Sequence, residues 1–454
     1  MNQDRSTTSN KLSVALISLG CDKNTVDSEE MLGILSEHGY LLTEDPEEAD
    51  AAIVNTCCFI QDATEESIST LLDTARLKTE GNLKYLIAAG CMAERYKEQI
   101  ATEIPEVDAF VGTTAFTAIA EVLDRLVSGE THVSAYQDIN RVTEEAHRVS
   151  AMGRPYTGYL KIAEGCDKKC TYCAIPQFRG HYRSIPMNRL VKTATELAEG
   201  GVKELILVAQ ETTVYGKDLY GEKKLPELLK RLSGIPDLEW IRILYCYPEE
   251  IDDELIEAIA NTPKVLHYID MPLQHTENRI LQRMGRRLTK EGLIRLVTKL
   301  RERIPDIVLR TTLITGFPGE TEEEHKALLE TLDMLEFDRL GVFPYSAEDG
   351  TLAATFDEQI DEEIKLRYRD EIMELQQEIS FEKNEACVGR DLDVIIEGYL
   401  PDEEVYVARS YRDAPEVDGF VFLPCDRELI SGTILPVRIT GAAEYDLTAE
   451  ERQE

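Results

Sequence analysis

Apolar residues in this chain come in short runs that alternate with helical patterns, and the grammar changes twice along its length. In the first stretch, SVALISLGC ends at Cys21, AAIVNTCCF contains Cys57 and Cys58, and KYLIAAGC ends at Cys91. Segments such as TVDSEEMLGILSEHG, with helical spacing of their apolar residues, follow or intervene. Strand and helix in alternation predict a parallel sheet covered by helices over residues 11–127. Residues 128–151 are polar, lack a period, and are expected to form a linker or surface arm. The alternation then resumes with YTGYLKIAEGC, VKELILVAQ, WIRILYCYP, VLHYIDMPL, IVLRTTLITGFPG and RLGVFPYS. Six such runs predict a complete or partial TIM-like βα barrel, with its chemistry at the carboxyl ends of the strands. This core is assigned to residues 152–382, and a charged helix from about Asp361 to Glu385 spans its end. Beyond it, DLDVIIEG, EVYVARS, DGFVFLP and TILPVRIT are short strands between Gly, Pro and Asp turns, which predict a small β-barrel over 383–449. The fold class is α/β with an appended all-β module.

Composition narrows the function. With 49 Lys and Arg against 86 Asp and Glu in 454 residues, the formal charge is −37, which excludes a generally basic nucleic-acid coat and favours a cationic partner. A basic protein fits better than naked RNA. Hydrophobic residues at 43% and charged residues at 30% provide for ordinary cores. The amino-terminal MNQDRSTTSNK has no apolar leader, and no apolar run approaches the roughly 18 residues of a membrane span, so a cytoplasmic location is expected. Ten cysteines are too sparse for a disulfide scaffold, and in a reducing compartment their thiolates are available as ligands.

Their positions decide which chemistry. Ligands of parallel sheets gather beyond the carboxyl ends of the strands, and Cys21, Cys57 and Cys91 stand at three such ends, so the three thiols are expected to converge on one rim. A lone cysteine there would be better explained as a small core residue. The strongest signal is GCDKKCTYC, in which Cys166, Cys170 and Cys173 follow the first strand of the barrel-like region as CxxxCxxC. Three thiolates in one tight loop hold three irons of a cubane cluster and leave the fourth open. A zinc site formed with His181 is the rival, although structural zinc loops use CxxC pairs. Cys58, Cys246, Cys387 and Cys425 have no partner at a ligand spacing and are read as core residues.

CxxxCxxC with Tyr172 before its last cysteine, placed after the first strand of a βα barrel, resembles the radical S-adenosylmethionine enzymes. A three-cysteine amino-terminal domain, a radical core and a carboxy-terminal TRAM domain together are similar to the methylthiotransferases over about residues 11–449. The runs SLGCDKNTVDSE, YLKIAEGCDKKCTYCAIP, MPLQH and APEVDG resemble the branch that modifies an aspartate of small-subunit ribosomal protein S-twelve. Asp22, Lys23 and Asn24 stand where the transfer-RNA branch more often has Gln-Met-Asn. The resemblance implies a transferase that adds a methylthio group to an aspartate β-carbon. It implies two 4Fe–4S clusters: a radical cluster on Cys166, Cys170 and Cys173, and an auxiliary cluster on Cys21, Cys57 and Cys91 that holds the sulfur. S-adenosylmethionine would be both methyl donor and radical source, and an electron donor is required. Methylthiolation of a transfer-RNA adenosine, and a zinc-stapled ribosome adaptor without catalysis, are the alternatives.

Charge votes with the protein substrate. From Ala386 to Glu454 there are six Arg, no Lys and sixteen acids, a net −10 where an RNA-binding module should carry a basic face. Glu403, Glu404, Asp413, Glu416 and Asp418 lie between strands of the small barrel and are expected to contact a basic ribosomal protein. Tyr172, Gln210, Gly316 and Gly319 are expected near the cofactor; at the strand end of Gln210 a helix cap is an equal alternative, and a plain tight turn explains the glycines of TGFPGE almost as well. Gln274 and His275 also end a strand, and His275 is read as a hydrogen-bonded structural residue. Nine Lys or Arg against two acids between Arg279 and Arg303 read as a solvated helix face, with ribosomal RNA contact as the alternative.

Overall fold

The computed structural model describes residues 12–143, 146–150 and 154–452, without the side chain of Glu98. Lys11 and the 151/152 junction, expected as domain boundaries, lie outside the described residues. The chain forms two compact units, Met1–Gly153 with Ala174–Arg183, and Arg154–Cys173 with Ser184–Glu454.

The first unit is a six-stranded parallel sheet in the order β2-β1-β3-β4-β5-β6. Its strands are β1 (Ser13–Ser18), β2 (Leu41–Thr43), β3 (Ala51–Thr56), β4 (Tyr85–Gly90), β5 (Ala109–Val111) and β6 (Val133–Ala135). Helices α1 (Asp22–Glu37), α2 (Gln61–Glu80), α3 (Cys91–Glu103) and α4 (Ile119–Val127) connect them, and α5 (Ile175–Arg179) joins from the later segment. The continuous apolar run of β3 is buried on both faces, as a central parallel strand requires. Side chains alternate across it: Ala52 and Val54 pack with Leu71, Ala75 and Met92, while Ala51 and Ile53 pack with Met31, Leu35, Ile119 and Leu123.

Two boundaries differ from the sequence expectation. Within 128–151, Val133–Ala135 extends the sheet by pairing in parallel with β5, and Val149 N–H donates to Glu29 O at 3.1 Å. A three-residue edge strand with one buried apolar side chain carries no readable period. The arm also lies directly on α1, where a Cβ on Gly33 would stand 1.9 Å from His147 O. Ala174–Arg183, expected inside the core, belongs to the first unit because Ala174 and Phe178 pack into the cluster that contains Leu71 and Met92.

The second unit carries the six expected runs as β7 (Thr157–Lys161), β10 (Glu204–Val208), β11 (Trp240–Ile243), β12 (Val265–Gln274), β13 (Val308–Thr315) and β14 (Arg339–Pro344). Two-residue strands β8 (Ala163–Glu164) and β9 (Arg183–Ser184) lie between the first two of these. The six form an open parallel sheet, β14-β13-β12-β11-β10-β7, which is a partial barrel. Its helices are α6 (Met187–Glu199), α7 (Lys217–Tyr220), α8 (Leu225–Ser233), α9 (Asp253–Asn261), α10 (Asn278–Arg283), α11 (Lys290–Arg303), α12 (Glu322–Leu335) and the long α13 (Glu362–Glu385). The last five strands, β15 (Asp391–Leu400), β16 (Val405–Ser410), β17 (Val421–Pro424), β18 (Ile434–Ala442) and β19 (Leu447–Glu451), close into a barrel. The sequence pattern missed β19, because LTAEE offers only Leu447 and Ala449 as buried apolar positions and ends on two acids.

The small barrel is locked to the parallel sheet by buried ion pairs. Glu204 accepts from Arg242 Nε at 2.7 Å and Arg409 Nη2 at 2.6 Å, and Arg409 also reaches Glu397. Asp413 accepts from Arg339 Nη2 at 2.6 Å, and Asp418 from Tyr268 OH at 2.7 Å and Arg310 Nε at 3.3 Å. The expectation that Asp413 and Asp418 are exposed contact residues is therefore corrected: their loop faces the sheet, and their carboxylates compensate the buried Arg339 and half-buried Arg310 guanidiniums. Glu403, Glu404 and Glu416 are exposed. No helix among the described residues is long and apolar enough to cross a membrane.

Candidate functional site

In the first unit β1, β3 and β4 are neighbours, so the residues following them meet at one rim. Cys21 caps α1, Cys57 directly follows β3, and Cys91 begins α3. Two of these cysteines thus stand at helix N-termini. Gly20 (φ +87°) lets the Cys21 turn approach so closely that a Cβ there would lie 2.6 Å from Cys57 Cβ and 2.7 Å from its Sγ. Ser67 Oγ accepts from Cys57 N at 2.9 Å and donates to Cys57 O at 2.8 Å, which fixes the second turn. Asn24 Nδ2 donates to Leu19 O and Thr56 O at 2.9 and 3.0 Å, tying the first turn to the second. Burial pushes the Cys57 and Cys91 thiols up; the charge of Cys21 adds to this at Cys57, whereas the Arg179 guanidinium opposes it at Cys91. Thiols so placed keep their protons until a cationic centre replaces them, as in a metal cluster. Cys58 is fully buried in the apolar cluster with Leu71 and Phe178, and burial raises its thiol to about 12.

Sequence reasoning missed Arg179, whose Nε and Nη2 donate to Cys91 Sγ at 3.3 and 3.2 Å. A basic residue in FRGHYR reads as surface, and only its burial reveals otherwise.

In the second unit the CxxxCxxC loop follows β7 and β8 and is held on both sides. Thr171 N–H donates to Met284 O at 3.0 Å, Thr171 Oγ1 to Arg283 O at 2.8 Å, and Ala353 N–H to Thr171 O at 2.8 Å. Gly285 (φ +76°) is needed for this packing, since a Cβ would stand 2.5 Å from Lys169 O. Cys166 Sγ accepts from Lys168 N at 3.4 Å, and Cys170 Sγ lies 2.7 Å from Tyr247 OH. Burial drives the Cys166 thiol to about 12, partly offset by the Lys168 N–H. Lys168 Nζ pairs with Glu250 at 2.7 Å and Glu211 at 3.4 Å, and Arg286 stacks 4.0 Å from the Tyr247 ring while pairing with Glu249. Thiols, cations and aromatic rings therefore meet around one half-buried loop, a setting suited to an anionic cluster. Among the described residues no three His, Cys, Asp or Glu side chains are grouped to hold a single metal ion; a cubane instead needs thiolates spread around several irons. His181, the zinc rival's fourth ligand, belongs to the first unit.

The remaining sequence candidates divide. Tyr172 packs beside Ile280, Met284, Phe317 and Tyr345. Gln210 Nε2 donates to Glu164 Oε1 at 2.7 Å, and its Oε1 is buried without a protein partner, directly beyond β10. Gly316 and Gly319 form the tight turn: Glu320 Oε2 accepts from Gly316 N and Phe317 N at 2.7 and 3.1 Å, and Lys365, Arg283 and Glu358 fill the space beside the glycines. That packing accounts for both glycines without a cofactor. His275 Nδ1 accepts from Glu277 N–H at 3.0 Å, leaving Nε2 to face Glu320 at 3.3 Å, and Gln274 adopts φ +73° at its strand end. Six of the nine basic residues between Arg279 and Arg303 pair with carboxylates: Arg279, Arg283, Arg286, Lys290, Lys299 and Arg303. Two thirds of this basic run is thus paired within its own unit. Cys246 and Cys387 are buried and Cys425 is half-buried.

Family models match three segments: "Uncharacterized protein family UPF0004" over residues 13–112, the radical SAM superfamily over 160–332 and the TRAM domain over 388–451. Among solved structures, the radical S-adenosylmethionine methyltransferase TsrM from Kitasatospora setae, with tryptophan and a SAM analogue bound, aligns with a TM-score of 0.54 and 15% identity, covering 83% of this chain and 77% of that one. Its form with cobalamin and a 4Fe–4S cluster gives 0.55 and 14%, covering 87% and 80%. At such identities the likeness is one of fold. Ribosomal protein uS12 methylthiotransferase RimO from Lachnoclostridium phytofermentans is 55% identical over 97% of this chain and 100% of that protein. RimO from Clostridioides difficile is 47% identical over 97% and 98%. With identity at this level across essentially the full length of both relatives, the chain belongs to the RimO family of radical SAM methylthiotransferases.

Proposed function

We propose that this chain replaces a C–H bond on the β-carbon of an aspartate in ribosomal protein uS12 with C–SCH₃. The observation that supports the reading is full-length similarity to RimO proteins in a chain with two sets of three cysteines, Cys21, Cys57 and Cys91 in one unit and Cys166, Cys170 and Cys173 in the other. Cys166, Cys170 and Cys173 would hold the cluster that works with S-adenosylmethionine, and Cys21, Cys57 and Cys91 the auxiliary cluster that carries sulfur. When bound, these groups and S-adenosylmethionine supply the one-electron chemistry and the methyl group that no side chain provides. The β-hydrogen of an aspartate is too weakly acidic for a general base near neutral pH, so a polar route through His275 or Glu211 is closed.

The chain's own groups bind, orient and exclude water. Tyr247, Lys168 and Arg286 wall the CxxxCxxC loop with rings and cations. Gln210, with its orphaned Oε1, offers a polar contact at the strand end where the cofactor would lie, and Tyr172 a ring beside it. Glu403, Glu404 and Glu416 present an exposed acidic surface to a basic ribosomal protein. An external electron donor completes the system, which works in the cytoplasm where ribosomes are assembled.

Anaerobic reconstitution with iron and sulfide should give about eight irons per chain, the sum of two cubanes. Incubation with uS12, S-adenosylmethionine and a reductant should add one methylthio group to a single aspartate, read by mass spectrometry of the peptide. Colourless protein with stoichiometric zinc, or modification of transfer RNA with uS12 untouched, would overturn the reading. Reversing Glu403 and Glu404 to Lys should slow uS12 association, most at low ionic strength, without changing uncoupled cofactor cleavage.

A further inference from the structure

The strongest unassigned feature is the guanidinium of Arg179. It is buried, 3% exposed, and each of its edges is committed. Nη1 donates to Asp27 Oδ2 at 2.8 Å, Nη2 to Asn24 Oδ1 and to Cys91 Sγ at 3.2 Å, and Nε to the same sulfur at 3.3 Å. We propose that Arg179 is a positioning residue of the Cys21, Cys57 and Cys91 centre, a fixed cation that orients the Cys91 sulfur and offsets the negative charge gathered there. The inference rests on the reading of those cysteines as cluster ligands.

An ordinary structural ion pair with Asp27 is the competing explanation, and it leaves part of the geometry unexplained. The Nε and Nη2 edge of a guanidinium is the one that can fork a carboxylate, yet here that edge converges on a sulfur while Nη1 reaches Asp27. A neutral thiol is a weak acceptor, so spending two buried donors on it is costly unless the sulfur carries charge. Three thiolates on an oxidised cubane leave the assembly anionic, and one-electron reduction makes it more so. A desolvated cation at hydrogen-bond distance from a ligand sulfur favours the reduced form, as hydrogen bonds to cluster sulfurs do generally.

The chain is shaped to deliver this residue. Ala174 and Phe178 anchor the segment in the apolar cluster, and Thr113 Oγ1 donates to Phe178 O at 2.8 Å. Gly180 (φ +73°) follows at once, where a Cβ would stand 2.7 Å from Asn140 Oδ1 and 2.8 Å from Ile139 O. Asn24 ties the device together, since it accepts from Arg179 and binds both the Leu19 and Thr56 carbonyls that flank Cys21 and Cys57.

The test uses full-length protein reconstituted anaerobically, with Cys166, Cys170 and Cys173 all changed to Ala so that one cluster remains. In that background Arg179→Lys keeps the charge and Arg179→Gln keeps polarity without it. Arg179→Lys should hold about four irons and a midpoint potential close to the parent's. Arg179→Gln should either hold fewer irons or be harder to reduce by about tenfold in the reduction equilibrium, which is about 59 mV for a one-electron couple. A purely structural residue would leave the potential unmoved. Lys and Gln variants that match each other, both like the parent or both free of iron, would overturn the proposal. Absence of iron from the parent triple variant would instead remove the cluster reading itself, and this inference with it.

Discussion

The second unit takes its three ligand-type thiols from one loop, GCDKKCTYC, whereas the first gathers Cys21, Cys57 and Cys91 from the ends of three strands. The loop is a local object: its spacing sets which sulfurs can share a cluster, and the surrounding unit only has to clamp it, as Thr171 and Gly285 do. The other site exists only because β1, β3 and β4 lie side by side, and its parts are bound by Asn24 across more than thirty residues of sequence, to the Thr56 carbonyl. A site written in one stretch tolerates change in the rest of the fold; a site assembled by topology depends on every turn that brings its pieces together.

The largest expected effects test whether the two are independent. Cys166→Ala should abolish cleavage of S-adenosylmethionine and remove about half of the iron, one cluster's share. Cys57→Ala should also halve the iron but keep uncoupled cofactor cleavage while losing methylthio product. Loss of all iron in either variant would mean that one centre cannot form without the other.

Glycine substitutions sharpen the contrast at lower amplitude. Gly20→Ala meets the side chain of Cys57, and Gly285→Ala meets the backbone of Lys169, each at positive φ. Each adds about 1–3 kcal/mol of backbone strain besides the clash. Gly20→Ala should therefore deplete the auxiliary iron and spare cofactor cleavage, and Gly285→Ala should do the reverse. Iron counting together with 5′-deoxyadenosine release distinguishes them; the same pattern in both variants would deny that the sites are clamped separately.

What was legible in the sequence follows the same division. The six barrel runs and the CxxxCxxC loop are patterns within short windows, and each stands where its window placed it. Convergence of Cys21, Cys57 and Cys91 was legible because one signal, a cysteine at a strand end, recurred three times. Arg179 had no such repetition, and its role depends on a ten-residue excursion, Ala174–Arg183, that no local pattern announces. Asp413 and Asp418 failed for a related reason: a loop between barrel strands is exposed in general, but this one meets Arg339 and Arg310.

Those buried acids carry an intermediate prediction. Burial alone would raise the Glu204 carboxyl, but the guanidiniums of Arg409 and Arg242 outweigh it and hold the group below the usual carboxylate range. A depressed folded pKa stabilises the protein above the unfolded value, and that contribution is lost as pH falls through the folded value. Below about pH 4 the docking of small barrel on sheet should therefore weaken, visible as a steeper fall of melting temperature in acid than Glu204→Gln shows. Asp413→Ala should cost about 3–5 kcal/mol at neutral pH, because it strands the buried Arg339. Equal melting of Asp413→Ala and Glu403→Ala would return Asp413 to the surface.

The smallest effect is expected beside the assembled site. Cys58 adjoins Cys57, yet its side chain enters the apolar cluster, its carbonyl accepts from Arg95 Nη1 at 3.0 Å, and burial holds its thiol protonated. Cys57 instead faces the Cys21 turn, with its backbone clamped by Ser67. Cys58→Ala deletes one buried heavy atom and should cost about 1 kcal/mol by denaturant melting, with iron content and methylthio transfer unchanged. If Cys58→Ala emptied the auxiliary site while Cys57→Ala left it filled, the strand-end geometry would have been assigned to the wrong neighbour. The assembled site would then draw on the apolar side of the sheet instead of its rim.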